Sequence, residues 1–326
     1  MIGTDLNTAI NFLKQGELVA IPTETVYGLA ANAFDITAVT KIYKVKDRPQ
    51  FNPLIIHTDS IEKLKSWGLI LPEKMLQLAA QFSPGPLTYV IKKSSLIPDI
   101  ITAGNDAVAV RIPNHPLALA LLKELDFPLA APSANPSGYV SPTNAMHVEE
   151  QLGNKIPYIL DGGECIVGVE STIISFIDDV PTILRFGGLS LEAIESVIGK
   201  VNTVFSSPLT VHGSQSKPIA PGMLSRHYAT THRLIFGDVE KNISAYSSNK
   251  IGIISFHKKY DSVLEEHQFI LSKNKNLDEA AQKLFSAMRE IDKLNIDVIL
   301  AEKFPDEGLG RAINDRLKRA SVQESY

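Results

Sequence analysis

An α/β fold in two units follows from three features of the 326-residue chain. Short β-like runs alternate with amphipathic helical stretches through residues 1 to 202. Some connections between those runs are too short for a crossover, so the sheet is expected to be mixed. The composition then changes. In TVFSSPLTVHGSQSKPIAPG, residues 203 to 222, eleven of twenty are Ser, Thr, Pro or Gly, a linker composition, and a second set of strand-like runs begins beyond it. The expected organisation is a larger domain at 1–202, a linker at 203–231 and a small α/β domain at 232–326.

Taken in order, Ile10, Phe12 and Leu13 place a helix over residues 7 to 15. ELVAIPTETVYGLA then reads as a buried strand running into a loop, and Ile36, Val39, Ile42 and Tyr43 mark the next helix. NPLIIHT (52 to 58) is a short strand, and IEKLKSW opens another helix. LTYVIKK, AVAVRIP, FPLAAPS, YILDGG, STIISF and PTILRFG are further strands, interleaved with helices near 116–125, 143–152 and 190–199. Past the linker, HRLIFG, KIGIISF, QFILSK and DVILAEK read as strands. LDEAAQKLFSAMREIDKLN is an amphipathic helix whose stripe of Leu277, Ala281, Leu284, Phe285, Met288 and Ile291 is expected to be core rather than a binding face.

The bulk numbers exclude several classes. An apolar fraction of 44% and a charged fraction of 21% are those of a soluble globular protein. A net charge of −4 argues against indiscriminate nucleic-acid binding while leaving room for local basic patches. Cys165 is the single cysteine, which excludes an intramolecular disulfide and a multi-cysteine zinc site; in the apolar run CIVGV it reads as a buried thiol rather than a nucleophile. The N-terminal stretch has no basic segment leading into an apolar one, and LALALL at 117–122 is too short to span a membrane, so a cytoplasmic protein is expected. There is no GxxxxGK[ST], no HExxH and no paired metal-ligand spacing, so no protein-held metal is expected. GLGRAI at 308–313 lacks the third glycine of a dinucleotide fingerprint.

Four stretches carry chemistry. In KVKDRPQFNP (44 to 53), Pro49 biases Arg48 toward extended angles, so Lys46 and Arg48 are expected to project to one side, a point charge beside a planar fork that suits phosphate oxygens. A solvated helix end whose lysines complement the macrodipole fits the same residues. In APSANPSG (131 to 138), Pro132 and Pro136 bracket Ser133 and Asn135, two polar side chains on a stiffened backbone; an ordinary Asx or Ser turn is the alternative. PTETVYGLA presents Thr23, Glu24 and Thr25 at a strand end, where open α/β sheets bind ligands. Arg111, in the apolar VAVRIP, needs a carboxylate from the protein or from a substrate. Ser171 in GVESTI and Arg185 in ILRFGG follow the same logic, whereas His57 at a strand end reads as a capping or surface histidine.

Together PTETVYGL, KxR followed by PxxNPL, SPGPLT, VAVRxP, APSAN-SG, GVESTI and a segment ending PGM–RHYA occur in this order. This set resembles the threonylcarbamoyl-AMP synthase family in its longer, two-domain form, over roughly residues 5–200 and 220–326. The resemblance implies a YrdC-like twisted mixed sheet with a large concave, positively lined cavity, followed by a smaller Rossmann-like domain. It implies synthesis of threonylcarbamoyl-AMP and pyrophosphate from L-threonine, bicarbonate and ATP, with Mg²⁺ carried in by the nucleotide. Downstream partners would be the machinery that transfers the threonylcarbamoyl group to tRNA; weak RNA contact by this chain is compatible with that. The family's KxR and SxN elements fall on Lys46, Arg48, Ser133 and Asn135 as catalytic residues. ATP would contact Arg48, Asn52, Ser133, Ser141, Arg185 and Arg226. Threonine would lie against Thr25, His57, Arg111, Ala131 and Ser171. The linker, with Arg226, His227 and Tyr228, would fold over the cavity.

The chain departs from the family pattern at Asp47, where glycine is common, at Ala107, where a threonine is frequent, and at Leu224, Ser225 and Thr230 in the linker. The rival from another class is a structured-RNA-binding module without transferase activity; the negative net charge and the lack of an aromatic-rich stacking strand count against it.

Overall fold

The computed structural model describes residues 1–204, 218–221, 227–247 and 250–322. The larger sheet takes β1 (Ile2–Gly3), β2 (Val19–Ile21), β3 (Gly28–Asn32), β4 (Ile55–His57), β5 (Leu87–Lys92), β6 (Ala107–Arg111), β7 (Leu129–Ala130), β8 (Tyr158–Leu160), β9 (Thr172–Ser175), β10 (Thr182–Arg185) and β11 (Asn202–Thr203). Their spatial order is β1-β8-β2-β3-β7-β4-β6-β5-β9-β10-β11. The sheet is mixed, as the short connections require: β5 runs antiparallel to β6 and parallel to β9. Around it pack α1 (Leu6–Lys14), α2 (Ile36–Lys46), α3 (Ile61–Ser66), α4 (Glu73–Phe82), α5 (Asp99–Thr102), α6 (Pro116–Lys123), α7 (Ala145–Leu152) and α8 (Leu191–Ile198).

Helix starts are set by side-chain caps. Asp35 accepts from the Thr37 and Ala38 amides, satisfying orphan donors at the first turn of α2, which buries Val39, Ile42 and Tyr43 against the sheet.

The second unit is a four-stranded, wholly parallel sheet of β12 (Arg233–Gly237), β13 (Ile251–Ser255), β14 (Gln268–Ile270) and β15 (Val298–Glu302), in the order β12-β15-β13-β14. It carries α9 (Val239–Ile243), α10 (Leu277–Asp292) and α11 (Gly310–Ala320). The stripe on α10 is core as expected: Ala281, Leu284, Phe285, Met288 and Ile291 are buried, and Leu277 packs at its edge. Each large side chain removed from water there contributes about 1.5–3 kcal/mol. The same apolar cluster includes Val26, Val140 and Val169 of the larger unit, with Tyr228 among them, so the two units share core. The strand β3 and the helices α4, α5, α9 and α11 go beyond the sequence-based expectation; GLGRAI opens α11. Among the described residues no helix is long and apolar enough to cross a membrane.

Candidate functional site

A single cavity is lined by Thr23, Arg48, His57, Arg111, Ser133, Ser171 and Arg185, with Val26, Ile55 and Pro132 as apolar wall and His227, Tyr228 and Pro221 from the linker. Ala131 lines it too, tied through its amide to the Ile55 carbonyl at 3.0 Å. These groups come from strand ends and the loops that follow them, where backbone polar groups are left free to face a ligand.

The backbone of the KxR stretch differs from the extended loop expected from its prolines. The helix α2 continues through Lys46, and the turn is made by Asp47 in the left-handed region at φ 52, with the Arg48 amide donating back to the Tyr43 carbonyl at 2.9 Å. Lys46 and Arg48 therefore converge across a helix C-cap rather than along a strand. Burial of Ile42 and Tyr43 favours the extra turn, so the stop falls at Asp47 rather than earlier. Asp47 itself is exposed and is not among the cavity-lining residues, and Lys44 is exposed as well. The positive φ explains why glycine suits this position.

Lys46 is buried and, unlike Arg48, is not among the residues lining the cavity; its ammonium donates to the carbonyls of Ser133, at 2.6 Å, and of Asn135. This joins the two proline-stiffened segments from distant parts of the chain. Arg48 donates through Nε to the Asn52 carbonyl at 3.2 Å and through Nη2 to the Pro53 carbonyl at 2.8 Å. Asn52 thus meets Arg48 through its backbone. Ser133 faces the cavity, whereas the Asn135 side chain turns back and donates to the carbonyls of Pro136 and Tyr139, at 3.0 and 2.8 Å. The Ser133 backbone bridges to Gly28, which holds that loop against β3.

Also on the lining, Arg111 pairs with Glu24 at 2.8 Å and donates to the Gly85 carbonyl at 3.3 Å. The carboxylate that the sequence required for Arg111 is supplied by the protein, and Arg111 still lines the cavity. Thr25 is fully buried and bonds to Thr23 Oγ1 at 2.9 Å, so Thr23 rather than Thr25 contributes to the cavity lining. Arg185 grips the Ser171 carbonyl through Nε and Nη2, at 3.2 and 2.9 Å, and Ser171 Oγ shares a hydrogen with Thr88 at 2.7 Å. That packing needs Gly187, since a Cβ there would fall 2.3 Å from the Glu170 carbonyl oxygen. His57 is buried on the cavity wall, not a surface histidine, because β6 and β7 flank its strand on both edges. Ser141 lies behind the lining and donates to Glu170 Oε1 at 2.6 Å. Arg226, Leu224 and Ser225 lie outside the described residues.

The electrostatics are those of an anion site. Burial, then the neighbouring Arg48 charge, pushes the Lys46 ammonium well below the ordinary lysine value. Burial draws Arg48 down to about 10, with Arg185 adding and Tyr43 opposing. His57 falls to about 3 through burial and the Arg111 charge. His227 also falls to about 3, through burial and the repulsion of Arg48, Lys46 and Arg185 against the pull of Glu170. Cations crowded at one desolvated place favour a ligand that brings negative charge. Cys165 is buried, and burial raises its thiol well above the usual range, which leaves it inert. Among the described residues no cluster of three or more His, Cys, Asp or Glu could hold a metal ion.

The sequence reading did not single out Glu170 or Val26 as site residues, and of the strand-end group Thr23, Glu24 and Thr25 the resemblance assigned only Thr25 to a substrate. Glu170 had a signal: a carboxylate beside the apolar run STIISF must find a partner if buried.

Comparison with known proteins places this geometry. Residues 11–187 match the Sua5/YciO/YrdC family, described as telomere recombination, and residues 189–322 match the threonylcarbamoyl-AMP synthase C-terminal domain. The threonylcarbamoyl-AMP synthase of Pyrococcus abyssi is 44% identical over 97% of this chain and 94% of its own. That of Bacillus subtilis is 41% identical over 96% of this chain and 92% of its own. The crystal structure of P. abyssi Sua5 complexed with L-threonine superposes with a TM-score of 0.88 at 44% identity, covering 97% of this chain and 94% of that one. By both domain matches and by likeness along nearly its whole length, the chain belongs to the Sua5/YciO/YrdC family, in the form that carries the threonylcarbamoyl-AMP synthase C-terminal domain.

Proposed function

We infer that the chain is an L-threonylcarbamoyladenylate synthase, a nucleotidyltransferase that makes threonylcarbamoyl-AMP and pyrophosphate from L-threonine, bicarbonate and ATP. Its place is in tRNA threonylcarbamoyladenosine formation in the cytoplasm, upstream of the machinery that transfers the group to tRNA. The observation that carries the reading is the convergence of Arg48, Arg111 and Arg185 with the hydroxyls of Ser133 and Ser171 on one cavity, in a chain of this family.

The chemistry demands enclosure. A threonine carbamate decomposes readily in water, so it must be formed and captured in a closed space, and Pro221, His227 and Tyr228 supply part of that cavity's wall. Arg111 and His57 hold the threonine, its carboxylate against the guanidinium. Ser171, Ala131 and the Thr23–Thr25 pair orient its amine and hydroxyl. The amine adds to the carbon of bicarbonate with loss of water, giving the carbamate. A carbamate oxygen then attacks the α-phosphorus of ATP, the bond to the bridging oxygen breaks, and pyrophosphate leaves with that electron pair. Arg48, Lys46 and Arg185 offset the charge that builds on the phosphates, and Mg²⁺ arriving with the nucleotide supplies further neutralisation. Ser133 Oγ and the loop that Lys46 and Asn135 brace orient the carbamate against the α-phosphate. Asn52 and Ser141 act from behind, through Arg48 and Glu170 respectively.

A structured-RNA module is the weaker reading, because these cations are buried at a cavity instead of displayed on a face that a polynucleotide can track. The test is to incubate the protein with ATP, Mg²⁺, threonine and labelled bicarbonate. Pyrophosphate and labelled adenylate are expected only when threonine and bicarbonate are both present. Salt-sensitive RNA binding without that release would overturn the assignment.

A further inference from the structure

Glu170 is the wrong charge for its place. It lines the cavity beside Arg48, Arg185, Ser133 and His227, where a polyphosphate would meet its carboxylate. The group is buried and accepts from Ser141 on one oxygen and from Arg316 Nε, at 2.9 Å, on the other. Arg316 comes from α11 of the small domain and is fully buried. Its Nη1 donates to Asp315 at 2.8 Å, and its guanidinium lies 5.3 Å from the centre of the Tyr228 ring, next to His227 of the linker. One side chain therefore touches the cavity wall, the linker and the small domain.

We propose that Arg316 is a positioning residue through which the small domain sets the charge of the nucleotide cavity: by pairing with Glu170 it keeps that carboxylate off Arg185, leaving the Arg185 guanidinium for phosphate. The inference rests on the cavity being a nucleotide site. Without Arg316 the buried carboxylate must turn to Arg185, stand unpaired against the incoming phosphates, or take up a proton. The groups facing it are Arg316 from α11, Arg185 from β10, Ser141, and His227 and Tyr228 from the linker, with Asp315 bonded to Arg316. Burial alone would raise its pKa; Arg316, then Arg185 and the Ser141 hydroxyl, outweigh burial and hold it at about 2. The wild-type carboxylate is thus charged and paired throughout the working pH range. With Arg316 removed, its pKa climbs, and nucleotide affinity gains a pH dependence that a merely structural residue would not confer.

The experiment is calorimetric titration of full-length protein with ATP and Mg²⁺, for wild type, Arg316→Gln, Glu170→Gln and the double variant, at several pH values. Arg316→Gln is expected to weaken ATP binding about tenfold to a hundredfold near pH 8, as expected for an uncompensated charge several ångströms away. The deficit relative to wild type should shrink as pH is lowered, because the carboxyl takes up a proton more readily without Arg316. The double variant should return to within about threefold of Glu170→Gln alone, because the harmful charge is gone. Wild-type affinity in Arg316→Gln, or a double variant no better than Arg316→Gln, overturns the coupling. Should Arg316→Gln fail to fold by circular dichroism, Arg316→Lys carries the same test with a smaller loss. A wild-type chain that binds no ATP overturns the nucleotide reading itself and this inference with it.

Discussion

Around the cavity, cations are held close together and away from water: the Arg48 charge weakens the hold of Lys46 on its proton, and Arg185 does the same to Arg48. Lys46→Ala and Arg48→Ala should each lower pyrophosphate release on the order of 10²- to 10³-fold if these groups stabilise charge at the phosphates. The two differ in a second measurement. Lys46→Ala leaves the Ser133 and Asn135 carbonyls without a donor, so urea unfolding should also show a loss of about 1–3 kcal/mol. Near-normal turnover in both variants would refute the assignment. The two histidines on the cavity wall make a pH prediction. His57 and His227 have folded values of about 3, below the ordinary 6.5, so the unfolded chain binds protons that the folded chain does not. Their contribution to stability is present above 6.5 and is lost as pH falls toward 3. Glu170 acts in the same direction lower down, between 4.5 and about 2. Melting temperature should fall steadily from about pH 7 to 4, and a flat profile would contradict neutral buried imidazoles.

Among the elements, α2 shows both what a sequence pattern conveys and what it misses. Its apolar spacing and its Asp35 cap are local, and they could be read directly; its end could not, because the proline signal at Pro49 competes with burial of Ile42 and Tyr43. Asp47 occupies the left-handed cap at φ 52. Asp47→Ala should destabilise the protein by about 1 kcal/mol and Asp47→Gly should not, by chemical denaturation. Loss from both would mean that the aspartate side chain, not the backbone angle, matters. The strand β3, GLAAN, was illegible for another reason: it has no β-branched residue and is visible only through its pairing with β2 and β7. The helix α11 was hidden by Gly308 and Gly310 at its start and by an arginine on its buried face, which breaks the apolar stripe.

For the whole molecule, the decisive feature is how the small domain meets the cavity walls. Gly168 lies where α10 crosses the loop before Glu170; its φ is +75, and a Cβ would fall 2.4 Å from the Gln282 backbone. Gly168→Ala should therefore push the helix away, lowering both melting temperature and turnover while ATP and threonine are saturating. Unchanged values in both would mean that the contact is not needed. Thr143 and Ser286, 3.0 Å apart, and Arg311 with Glu192, at 2.6 Å, mark the same interface.

The sequence alone determined the α/β class, most strands, the α10 core stripe and the ordered motifs that implied the family, because these rest on local periodicity and on residues close in the chain. Which side chains face the cavity was decided only by tertiary structure. Thr23 instead of Thr25, His57 turned inward, Asn135 turned back, and Glu170 held by an arginine 146 residues further along all depend on packing between distant segments. Burial and pairing of that kind have no period in the sequence, since they are properties of surfaces that exist only once the chain has folded.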